Sequence, residues 1–237
     1  MIHYPNMVPG TFRARPNRFI AHVEIGGREV VCHVKNTGRC RELLIPGMQV
    51  WCQHHDDPKR KTEYSLIAVQ KGERLVNMDS QIPNKLAYDY VNQGGLGFLP
   101  DAIKAEKTFG SSRFDLYYEA GERKGFVEVK GVTLEEDGIV RFPDAPTERG
   151  AKHLKELQEA VKQGYEAWVL FVIQMADVLY FQPNEKTDPA FTATLREAAQ
   201  KGVNIKAVEC VVTPDSLEIT KEVPVRLPLR GTVSEAD

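Results

Sequence analysis

Asp115, Glu128 and Lys130 stand in the pattern D-x12-E-x-K. FDLYYEA reads as a strand, a glycine-containing turn follows, and FVEVKGV reads as a second strand. Alternate side chains of a strand share a face, so Glu128 and Lys130 point one way and Val127 and Val129 the other. If the two strands pair, Asp115 lies beside Glu128, and two carboxylates and an ammonium converge. Mg²⁺ is a hard ion that takes one or two carboxylates and keeps several waters. Such an ion acidifies water and offsets the charge that develops on a phosphodiester under attack. The pattern therefore suggests Mg²⁺ (or Mn²⁺) on Asp115, Glu128 and the Val129 carbonyl, with Lys130 orienting the water or pairing with the phosphate. The alternative is a solvated Glu–Lys pair on an open sheet face, because such spacings also arise by accident.

The elements around this motif would position it. IKAEKTF reads as a preceding strand that carries Glu106. Before it, Ser80 or Asn84 can start a helix through KLAYDYVNQ, ending at Gly94-Gly95 and carrying Asp89. Downstream, the prolines of FPDAP exclude a helix. Thr147 then suits an N-cap and Gly164 a terminator. In that helix Ala151, Leu154, Leu157 and Val161 recur at buried spacing, while Arg149 and His153 share another face with Lys152 nearby. AWVLFVI has the unbroken apolar run of a strand covered on both sides, with DVLYFQP as its expected neighbour. Asp188-Pro189 starts a further helix to Gly202, and NIKAVECVV reads as a late strand. Strands alternating with helices give a three-layer α/β domain over residues 81–237. Its tail from Leu229 is polar and expected to be mobile.

Residues 1–80 read differently. TFRARP, RFIAHVEI, REVVCHV, MQVWCQHH and TEYSLIAVQ are short alternating strands, the second and third joined by Gly26-Gly27. Five such strands suggest a small β-barrel, with an OB-fold as the natural candidate. Barrels of this kind bind nucleic acid with basic and aromatic groups. Arg13, Arg15, Arg18, Lys35 and Arg39 supply charge, and Asn36-Thr37-Gly38 a tight turn with exposed amides. Phe12, Phe19 and Trp51 are expected in the core. NMDSQIPNKL, residues 77–86, is the expected linker.

Composition bounds the function. The chain has 237 residues and a formal net charge of −2, so it carries no global basic signature and any nucleic-acid surface must be local. Cys32, Cys40, Cys52 and Cys210 form no C-x-x-C pair or zinc spacing and read as buried free thiols in a reducing cytosol. The longest apolar run, Ala167 to Ile173, is too short to span a bilayer, and no signal pattern opens the chain. A soluble cytoplasmic protein without membrane partners is the expectation. There is neither a Walker loop nor a dinucleotide fingerprint, which disfavours nucleotide metabolism. Nothing sets an oligomeric state, or decides between DNA and RNA or between single and double strands.

The D-x12-E-x-K set resembles the PD-(D/E)xK nuclease core, with Phe114 where the family name has proline. The strings SRFD, VEVKGVTL, FPDAPTERGAKHLKEL, NTGRCRELLIPG and DSQIPNKL, within a likeness that runs from about Gly10 to Leu227, resemble the sugar fermentation stimulation protein A family. The resemblance implies an N-terminal OB-fold and a nuclease-like second domain. It also implies non-specific DNA binding, a proposed link to sugar (maltose) metabolism, and a nuclease core. It places a supporting glutamate at Glu106 and an acid on the first helix, here Asp89. The helix bearing Arg149, Lys152 and His153 would flank the site and contact phosphate or water. Two functions follow: a Mg²⁺-dependent DNA nuclease, or a DNA-binding regulator that keeps the fold without turnover.

Overall fold

The computed structural model describes residues 1–36, 38 and 40–227; Thr37, Arg39 and the tail containing Leu229 lie outside the described residues. The chain enters through β1 (Ile2–His3), which joins the second sheet rather than the first. A barrel then forms from β2 (Met7–Asn17), β3 (Ile20–Ile25), β4 (Arg28–Val34), β5 (Gln49–His54) and β6 (Tyr64–Lys71). The order is β4-β3-β2-β5-β6, and parallel pairing of β4 with β6 closes the ring as an OB domain requires. Gly26 and Gly27 both take positive φ, +58° and +78°, between the paired Ile25 and Arg28. Such a turn matches the twist of its strands and favours residues free of a β-carbon.

Phe12, Val23, Val34, Val50 and Leu66 fill the barrel. Of the three aromatics expected in the core only Phe12 is fully buried. Trp51 is half-buried, and Phe19 is 52% exposed because Arg18-Phe19 is the two-residue turn between Asn17 and Ile20. All four cysteines are free and buried.

β7 (Arg74–Asn77) pairs with β6, so the linker shrinks to residues 78–81, and it is buried at Met78 and Asp79. The second domain follows with α1 (Ile82–Asn92), β8 (Ala102–Phe109), β9 (Ser112–Ala120), β10 (Arg123–Val132), β11 (Leu134–Glu136) and β12 (Ile139–Phe142). It continues with α2 (Glu148–Lys162), β13 (Glu166–Ile173), β14 (Tyr180–Pro183), α3 (Pro189–Gln200), β15 (Asn204–Val212) and β16 (Ser216–Val223). The main sheet has the order β1-β16-β15-β13-β10-β9-β8, with β10, β13 and β15 parallel at its centre. Ile82, Leu86 and Val91 of α1 pack on one face against Val127, Val129 and Leu170. Leu154 and Leu157 of α2 and Leu195 of α3 pack on the other, with Phe126 and Phe171. That second core is continuous with the barrel interior through Met78, Val132 and Val140.

Two expectations need correction. β14, within DVLYFQP, does not neighbour β13 but pairs in parallel with β12 in a small three-stranded sheet. Helix α1 has Gln81 at its N-cap, with no side-chain cap bond, rather than Ser80 or Asn84. Asp79 Oδ1 instead accepts the Gln81 N–H at 3.0 Å, and the Ser80 hydroxyl donates to the Lys35 carbonyl.

Candidate active site

β9 and β10 pair from Ala120↔Arg123 to Leu116↔Val127, and there the ladder stops. A side chain takes over where the backbone departs: Asp115 Oδ2 accepts the Val129 N–H at 2.8 Å. Its other oxygen accepts from Asn84 Nδ2 at 2.8 Å, so the first helix fixes the carboxylate from outside the sheet. Glu128, on the opposite face from Val127 and Val129, is 3% exposed. Its Oε1 accepts from Lys130 Nζ at 2.6 Å and from His153 Nδ1 at 2.5 Å. Its Oε2 is buried and has no hydrogen-bond partner among the described residues.

α2 delivers the histidine. Thr147 caps the helix, its hydroxyl accepting the Gly150 N–H at 3.0 Å, and its own N–H donates to Asp188 Oδ2 at 2.8 Å. Because a carboxylate only accepts, His153 Nδ1 carries a proton towards Glu128. Because Arg149 only donates, His153 Nε2 accepts from its Nε, at 3.4 Å. The partners thus select the Nδ1–H tautomer. Arg149 and His153 share a face as expected, but that face is buried at His153, which is 5% exposed and joins the stripe of Leu154 and Leu157. Lys152 stays exposed, 3.4 Å from the Ser111 carbonyl, and lines a cavity of about 500 Å³ with Arg149 and His153.

Electrostatics divide the two acids. Burial and the nearby charge of Glu128 hold the Asp115 carboxyl above its ordinary range, against the Val129 N–H, Lys130 and Asn84. Burial also acts to raise Glu128, but the hydrogen bond from His153 and the charge and hydrogen bond of Lys130 outweigh it and leave Glu128 lowered. A desolvated carboxylate pair with one orphaned oxygen on its buried member is an arrangement that a cation relieves. No group of three or more His, Cys, Asp and Glu side chains suited to a metal occurs among the described residues. An ion here would rest on the two carboxylates and complete its shell with carbonyl and water oxygens, as Mg²⁺ commonly does.

The other expected site residues fall into three groups. Glu106 sits between the pairs Ala105↔Leu116 and Lys107↔Phe114, which sets its backbone beside Asp115. It has a left-handed φ of +56°, and its exposed carboxylate turns to Arg113 at 3.5 Å. Asp89 is five residues past Asn84, roughly 140° around the helix, so Asn84 is the α1 residue that meets the carboxylates. No feature of the sequence marks Asn84 for the site, because its amide reads equally as a cap.

In the barrel, Arg13 pairs with Glu24 at 2.5 Å, and Lys35 Nζ reaches the buried Asp79 at 3.1 Å. Arg15 clamps the backbone, donating to the carbonyls of Gly38 (2.8 Å), Asn36 (2.6 Å) and Arg18 (2.9 Å). Asn36 Oδ1 accepts the Gly38 N–H at 2.8 Å. Arg13, Arg15 and Arg18 line a pocket of about 560 Å³ together with Arg41, which lies in the NTGRCRELLIPG string but is not among the expected binding residues.

Comparison with known proteins agrees across both domains. Residues 81–216 match the sugar fermentation stimulation protein RE domain, and residues 14–78 match the SfsA N-terminal OB domain. A sugar fermentation stimulation protein homolog of Desulfitobacterium hafniense (strain DSM 10664 / DCB-2) is 59% identical over 224 residues, covering 94% of this chain and 98% of the relative. That of Clostridium beijerinckii is 55% identical over 224 residues, covering 94% and 99%. The solved structure of Pyrococcus furiosus SfsA in complex with Ca²⁺ superposes with a TM-score of 0.85 at 29% identity, covering 95% of this chain and 98% of that one.

Proposed function

This chain belongs to the sugar fermentation stimulation protein family, and we propose that it is a divalent-metal-dependent nuclease that cuts DNA with little sequence preference. The observation that carries this reading is the approach of half-buried Asp115 to buried Glu128, beside Lys130, with Glu128 Oε2 unpartnered among the described residues. The relative from Pyrococcus furiosus is described in complex with Ca²⁺, a hard ion that takes oxygen ligands like those offered here. Asp115, Glu128 and the Val129 carbonyl would hold Mg²⁺ or Mn²⁺. When bound, the ion supplies Lewis acidity and offsets negative charge on the phosphate.

The protein's own groups do the positioning. Asn84 and the Val129 N–H hold Asp115 by both oxygens. His153 and Lys130 hold Glu128 by one oxygen, which leaves the other to face a ligand. Lys130 spends one of its three donors on Glu128, so two remain to orient an attacking water or to contact the scissile phosphate. Arg149 holds His153 and reaches into the cavity with Lys152, where both can contact neighbouring phosphates. Phosphate contacts fix register without reading sequence, which accords with non-specific binding. Exposed Glu106, whose backbone lies beside Asp115, is a supporting group, whereas Asp89 is left out of the site.

The test incubates labelled DNA with the purified protein in Mg²⁺, Mn²⁺ or chelator, beside Lys130→Ala. Metal-dependent cleavage lost in the variant is the expected result. Binding without cleavage in any metal, unchanged by the substitution, would leave a non-catalytic DNA-binding protein and end the nuclease reading.

A further inference from the structure

The arginine pocket of the barrel is out of keeping with the rest of the surface. Acidic residues outnumber basic ones in this chain, 33 to 31, yet Arg13, Arg15, Arg18 and Arg41 line one pocket without a single Asp or Glu in its wall. Arg13 is paired with Glu24 and Arg15 is committed to backbone carbonyls. No described carboxylate pairs with Arg18 or Arg41, and both are exposed. The positive charges of Arg18 and Arg41 on one pocket wall favour a bound anion.

Two further features give that anion a shape. Gly38 forms part of this pocket and also of a second cavity of about 210 Å³, whose wall includes Arg141, Asp144 and Gly131. The two cavities therefore meet at Gly38, and the groove continues beyond the arginines. The second cavity is smaller than the first, about 210 Å³ against about 560 Å³, in keeping with a single strand rather than a duplex. Next to Arg18, Phe19 holds its ring out at 52% exposure on a fixed backbone. Its N–H donates to Asn17 Oδ1 at 2.8 Å, and its carbonyl accepts the Val34 N–H at 2.8 Å. An exposed aromatic beside a groove of cations is the arrangement that binds unpaired strands, with bases on the ring and phosphates on the cations.

We propose that the barrel seats an unpaired DNA strand, with phosphate at Arg18 and Arg41 and a base on Phe19. The proposal deepens the nucleic-acid reading of the site and rests on it, but it does not require turnover. Binding is therefore measured in chelator, where cleavage plays no part. Fluorescence anisotropy would compare a labelled 20-nucleotide oligo-dT (about 20 so as to exceed one OB-fold site) with its duplex, titrated against the full chain at several salt concentrations. The strand should bind at least about tenfold more tightly than the duplex, since stacking on one ring alone is worth roughly that factor. The double variant Arg18→Ala/Arg41→Ala should flatten the dependence of log affinity on log salt by about 1.4, or about 0.7 for each phosphate contact on a single strand. Phe19→Ala should weaken the strand roughly tenfold and leave the duplex unchanged. All three side chains are exposed, and an unchanged melting temperature confirms that each variant is folded. Equal or tighter duplex binding, a salt slope unaltered in the double variant, or no binding of either probe each overturns the proposal. A strand preference in a protein that never cleaves would instead sink only the nuclease reading.

Discussion

Asp115→Asn separates the cost of the carboxylate pair from its use. Asp115 is half-buried near Glu128, and its carboxyl is held above its ordinary range by desolvation first and the Glu128 charge second. The change to Asn removes that repulsion, and the hydrogen bonds survive it. The oxygen of the new amide can still accept the Val129 N–H, and Asn84, exposed on α1, can flip its own amide to accept from the new NH₂. In chelator the variant should therefore melt no lower than the parent. An acid whose folded pKa is raised loses stability as pH rises from its unfolded value through its folded one. The advantage of the variant should accordingly be absent below that window, grow through it, and stay constant above it. With Mn²⁺ or Mg²⁺ the order should reverse. At about 100 times its dissociation constant a ligand stabilises by about 2.7 kcal/mol. For a chain of this length each kcal/mol moves the melting temperature by about 2–4 °C, so the parent should gain roughly 5–11 °C and the variant little. Differential scanning fluorimetry across pH, with and without metal, reads both arms. A variant that melts well below the parent in chelator would refute the repulsion argument. One that keeps the full metal-induced rise would show that Asp115 does not hold the ion.

Three further outcomes follow from residues around the site. Gly131→Ala places a β-carbon 2.8 Å from Gln174 Oε1 and 2.8 Å from Pro83 Cγ, and Gln174 cannot yield because it is tied to Asn77 and the Asp79 carbonyl. Chemical denaturation should show a loss of about 1–3 kcal/mol, the usual cost of overpacking. Lys35→Met leaves the buried Asp79 without its ammonium at the junction of the domains, and should cost about 3–5 kcal/mol by the same measurement. Glu135 is desolvated, but Lys71, the Gly138 N–H and Arg74 together hold its carboxyl below the ordinary range. Its contribution should be present above the unfolded carboxylate pKa and lost as pH falls through the lower folded value, so Glu135→Gln should flatten the acid limb of a melting-temperature profile.

Much of the fold is legible in the sequence because local signals there are strong. Gly26-Gly27, the Thr147 cap, the Asp188-Pro189 start and the buried run of β13 each carry a backbone rule that tertiary packing has no reason to override. The failures are equally local. The β11–β12 hairpin turns on Asp137-Gly138 with φ of +53° and +78°, a recognisable two-residue turn, but its strands are only three and four residues long and lie beside a proline-rich segment. β1 joins the sheet by pairing with β16 at the other end of the chain, and its two residues are too few to show an alternation, while β16 is the antiparallel neighbour of β15. The apolar character of β14 implies burial without naming a partner, and the stacking of Phe181 on Phe171 supplies that burial across layers rather than beside β13.

The site is legible in its acids and not in what holds them. D-x12-E-x-K predicts convergence only if the strands stay paired, and in fact the ladder ends at Leu116↔Val127, just short of the acids. That break makes the arrangement possible. Had the backbone pairing continued, the Val129 N–H would be consumed by a carbonyl, and Asp115 would have no anchor in the sheet. Past the break Glu128 pairs only with Val169 of β13; its second oxygen finds no donor among the described residues, and α2 brings His153 across the layer to hold the first. Asn84, His153 and Arg149 are thus consequences of an interrupted sheet. Their roles depend on three elements meeting at one point, which spacing along the chain does not encode. An interruption that strands a buried carboxylate oxygen is costly unless something occupies the gap, and this ties the local loss of pairing to a ligand that carries positive charge.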